Sequence, residues 1–65
     1  MADFDLDAAR REFADLTGFF EDAALIASVG QGVTNIDDGR RQFKRLSTVM
    51  RRIRRRLAIL EERFQ

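Results

Sequence analysis

The chain has no cysteine, histidine, proline, tryptophan or tyrosine, and only four glycines among its 65 residues. Each absence removes a class of structure or chemistry. Without cysteine there is no disulfide, and without cysteine or histidine the usual zinc ligands are missing. Without proline nothing breaks a long helix from within. All six aromatics are phenylalanine, which suits burial better than a wet recognition surface needing a polar handle. Long apolar runs are also missing: "AALIA" (residues 23–27) is far too short to cross a bilayer. The start, "MADFDLD", lacks the basic and apolar regions of a secretory signal. The expectation is a cytoplasmic protein with no membrane role.

A chain of this length forms one domain, residues 1–65, and a single core below about 70–80 residues rarely supplies more than roughly 3–5 kcal/mol. Such folds lean on a disulfide, a metal or another chain. With the first two excluded by composition, a partner chain is expected. Charge points the same way. Residues are 35% charged with a net charge of +1, yet the two halves differ sharply. Residues 1–29 carry Asp3, Asp5, Asp7, Glu12, Asp15, Glu21 and Asp22 against Arg10 and Arg11. Between Arg40 and Arg56 the chain carries only bases: Arg40, Arg41, Lys44, Arg45, Arg51, Arg52, Arg54, Arg55 and Arg56. An acidic half followed by a basic half is an organising signal.

The only punctuation is "SVGQGVTN" (residues 28–35), which predicts a turn at 30–33 with Gly30 as a left-handed helix cap. Asp3 or Asp5 is a candidate cap for a first helix, and Thr34 or Asn35 for a second. Thr34 and Asp37 stand at capping-box spacing, with Asp37 and Asp38 in the favourable first turn. The expected fold is all-α: an antiparallel hairpin with helices at about 4–29 and 35–64.

Heptad spacing supports it. Ile36, Phe43, Met50, Leu57 and Phe64 recur every seven residues, with Gly39, Leu46, Ile53 and Leu60 three positions on. Leu6, Phe13, Phe20 and Ala27 form the matching row of the first helix, beside Ala9, Leu16 and Ala23. Folding at the turn pairs residues whose numbers add to about 63, so Phe20 meets Phe43 and Phe13 meets Met50. The expected hairpin core is Leu6, Phe13, Leu16, Phe20, Ile36, Phe43, Leu46, Met50, Ile53 and Leu57. Phe4, Phe19, Ile26, Val49, Leu60 and Phe64 remain as the expected partner surface. Two hairpins packed by two-fold symmetry would then complete a four-helix bundle.

Patterns for chemistry are weak by comparison. "DFDLD" and "NIDDG" resemble calcium-loop openings, but the twelfth positions are Ala14 and, with Gly39 set as the sixth, Arg45, so helix capping accounts for both. "GQG" lacks the strand and the Gly-Lys-Ser/Thr of a phosphate loop. Serines and threonines have no histidine to activate them, and a hairpin offers no deep pocket to tune carboxylates. No catalytic residue, cofactor or metal is assigned. The expected function is a non-enzymatic interaction protein (adaptor, small subunit or regulator) acting as a homodimer or within a larger assembly. Arg40, Arg41, Lys44, Arg45, Arg51, Arg52, Arg54 and Arg55 would face outward, towards an acidic protein surface or, in the alternative, nucleic-acid phosphates.

Overall fold

The computed structural model describes residues 4–65, which form two packed helices, α1 (Leu6–Gln31) and α2 (Ile36–Arg63). The hairpin is rod-like, about 50 × 16 × 16 Å. The described residues contain no strand. Both helix starts are capped by side chains that satisfy otherwise orphaned N–H groups. The Ala8 N–H donates to Asp5 Oδ1 at 2.8 Å. Asp3, the other candidate cap, lies outside the described residues. At α2 the Asp38 N–H donates to Asn35 Oδ1 at 2.9 Å, and Asn35 Nδ2 donates to Asp38 Oδ2 at 3.1 Å. Asn35 is therefore the cap, rather than Thr34.

The turn differs from the expected one. α1 continues through Gly30 to Gln31 and is capped by Gly32 at φ −99°. No described residue takes a positive φ. The Gly32 N–H instead donates to the Val29 carbonyl at 3.0 Å, a tightened last turn that closes the helix without a left-handed residue.

The register also differs. Arg56 meets Glu12 and Phe64 meets Phe4, two pairs whose numbers each add to 68 rather than about 63. The longer α1 moves the fold-back point towards α2. Residues 60–64 consequently lie level with the start of α1. Leu60 is buried and Phe64 packs on Phe4.

The core is Leu16, Ala23, Ile26, Val49, Ile53 and Leu60, with Phe4, Phe19, Leu46 and Met50 packed against it; Ala9 is also buried. Leu16 and Ile53 are core as expected, Ile53 being only 1% exposed. Leu46 and Met50 are half-buried. Six other expected core residues are not core: Leu6, Phe13, Phe20, Ile36, Phe43 and Leu57 are exposed. Conversely Ile26, Val49 and Leu60, expected to face a partner, are buried between the helices. One rotation explains both corrections. Each helix has a central row (Ala9, Leu16, Ala23; Leu46, Ile53, Leu60) with a row on either side, and two helices cover only one side. The hairpin covers the side holding Phe19, Ile26 and Val49, where Glu12 and Arg56 can pair.

Candidate interaction surface

Rotation of the seam leaves the hairpin with two unlike flanks. On one flank the row Leu6, Phe13, Phe20 and Ala27 of α1 lies beside the row Ile36, Phe43, Met50, Leu57 and Phe64 of α2. Two observations place both rows on the same side. The rings of Phe13 and Phe64 are 6.3 Å apart, and Ala27 and Phe43 line one open groove of roughly 300 Å³. All nine residues are exposed except Met50, which is half-buried; Phe43 is 68% and Phe20 50% exposed. This phenylalanine face runs the length of the molecule. At its open end Phe64 stacks edge-on to Phe4 at 5.0 Å, and the Arg63 guanidinium lies over the Phe4 ring at 5.3 Å.

The opposite flank is charged. Arg56 reaches across the seam to Glu12 Oε2 at 3.3 Å and to Asp15 Oδ2 at 3.9 Å. Phe19, half-buried, lies beneath this flank and shares a groove with Arg52, Arg55, Arg56 and Ile59. Glu12 and Arg56 form the one cross-helix ion pair, with Asp15, that the described residues contain. Sequence spacing held the clue: at 68 they stand level and face the same side. Other ion pairs are local and exposed, Asp7–Arg10, Asp37–Arg40 and Asp38–Arg41, and pairs of this kind add at most a few tenths of a kcal/mol each, about 0.3–0.5.

The basic residues singled out from sequence, Arg40, Arg41, Lys44, Arg45, Arg51, Arg52, Arg54 and Arg55, are all exposed. They spread over the outer side of α2. Arg40 and Arg41 are engaged by Asp37 and Asp38, and Arg45 and Arg51 donate to Gln42 and Thr48. Lys44, Arg52, Arg54 and Arg55 form no ion pair among the described residues. Among the described residues no group of three or more carboxylates converges as a metal site, and no helix is long and apolar enough to cross a membrane.

Compared with protein-family models, curated proteins and solved structures, the chain shows no significant match.

Proposed function

We propose that this chain is a non-enzymatic interaction module that works as a homodimer, its phenylalanine face covered by a second copy in a four-helix bundle. The observation that carries this is the exposed stripe of Phe13, Phe20, Phe43 and Leu57, left open by the chain's own fold. Folded monomers rarely expose a contiguous apolar patch beyond about 300–600 Å². The stripe runs along a rod about 50 Å long and 16 Å wide, and a standard-size interface buries roughly 800 Å² on each partner. A short hairpin also gains from a partner the core it lacks alone.

Native mass is the test. A chain of 7.5 kDa should sediment at about twice that mass at micromolar concentration. Phe20→Asp with Phe43→Asp should return the species to a single chain, because a carboxylate buried there has no partner. A folded wild-type monomer at that concentration overturns the proposal.

A second reading is favoured by the basic side of α2. Arg52, Arg54 and Arg55 make no ion pair among the described residues, so their guanidinium groups are available to phosphates. Binding of RNA or duplex DNA that weakens steeply between 50 and 200 mM salt supports this role, and absence of binding at low salt ends it.

A further inference from the structure

We infer, on the homodimer reading above, that the second copy packs about a two-fold axis running along the helices, laying acidic α1 of each chain over basic α2 of the other. Two operations bring a pair of phenylalanine faces together. An axis along the helices sets α1 over α2 of the second copy. An axis across them sets α1 over α1 and α2 over α2. Both leave neighbouring helices antiparallel, so backbone direction does not choose between them.

Charge does. α1 holds Asp7, Glu12, Asp15, Glu21 and Asp22 against Arg10 and Arg11, a net of −3. α2 holds ten bases against Asp37, Asp38, Glu61 and Glu62, a net of +6. Arg54 and Ser47 border the face on α2, sharing a groove with Phe43 and Met50. Setting α2 against α2 brings two such basic helices within contact distance, well inside the roughly 8–10 Å over which salt screens. Crossing the pair replaces that repulsion with attraction between a helix of net −3 and one of net +6.

Side-chain size agrees. An axis along the helices leaves heights unchanged, so the 68 register applies between copies as it does within one. Phe13 then falls two residues, about 3 Å, from the level of Leu57 of the second copy, and Phe20 from that of Met50. Ala27 falls as close to the level of Phe43, a small residue against a large one, as interdigitated packing requires.

The chain has no cysteine, so an introduced thiol reports alone. Ala24 borders the face on α1 and Ser47 borders it on α2, and crossed packing brings them within about three residues of height, roughly 4.5 Å. Ala24→Cys and Ser47→Cys chains are mixed, allowed to exchange, and treated with a short thiol cross-linker, with native mass measured in parallel. The expected product is the mixed dimer, with each variant alone staying uncross-linked. Homotypic Ser47→Cys product, or mixed and homotypic products in random proportion, from a species that sediments as a dimer overturns the crossed arrangement and leaves the homodimer standing. A species that sediments as a single chain overturns both.

Discussion

Ile53 and Phe43 show how differently two apolar residues of one helix can be used. Ile53 is 1% exposed at the centre of the seam, and its truncation leaves a cavity lined by Leu16 and its neighbours. Ile53→Ala should cost about 2–5 kcal/mol in chemical denaturation, enough to unfold a domain of this size. Phe43 is mostly exposed within the hairpin, so on the proposed homodimer the cost of its removal would lie between chains rather than within one. Gly18 is a third kind of position. It lies in the interior of α1, and an added Cβ would meet nothing within 4 Å. Gly18→Ala should stabilise the helix by about 0.5–1 kcal/mol and raise the melting midpoint by roughly 2–8 °C, read by circular dichroism. Gly39, in the α2 seam, would place a Cβ 3.8 Å from a Val33 methyl, an ordinary contact, so it marks no forced close approach.

Among the elements, both helices depend on their starts. Asn35 satisfies the Asp38 N–H and also holds its carboxylate, which in turn pairs with Arg41 at 2.6 Å. Asn35→Ala should lower stability by about 1 kcal/mol in a denaturant titration, with Asn35→Gly losing less. Much of this level was legible in the sequence. Asp5 and Asn35 are capping residue types at the right places, and the seven-residue spacing identified both helices and their central rows. The flanking row was not legible. Phe13, Phe20 and Phe43 are more apolar than Glu12, Gln42 and Arg56, so spacing favoured them for the seam. The hairpin buries the other flank, where Arg56 spans to Glu12 and Phe19, Ile26 and Val49 fill the interior. Composition ranks rows by hydrophobicity; it does not say which row an intramolecular neighbour covers and which a second chain would.

At the scale of the whole molecule, charge and shape act together. In the crossed dimer the two α2 helices occupy opposite corners of the bundle, so their arginine sides face away from each other. Should those sides bind nucleic acid, each dimer would present two separate sites instead of one continuous basic surface. About five phosphate contacts at one site would give a log–log salt slope near −4.5 on duplex DNA. Replacing Arg52 and Arg55 by Glu should abolish such binding while native mass stays that of the dimer, because both line the groove with Phe19 and Ile59 on the flank opposite the phenylalanine face. A variant that lost both would tie the arginines to assembly instead.

The amino-acid sequence by itself determined that the chain is helical, that it turns once, and that an acidic helix precedes a basic one. Those properties follow from local chemistry: capping side chains, glycine placement, apolar periodicity and the signs of charges. Only the tertiary structure decided the register and the rotation of each helix about its axis. Both depend on contacts between residues some 40–60 positions apart, such as Glu12 with Arg56 and Phe4 with Phe64. That rotation turned the phenylalanine row outward, onto the side where the proposed second chain would pack.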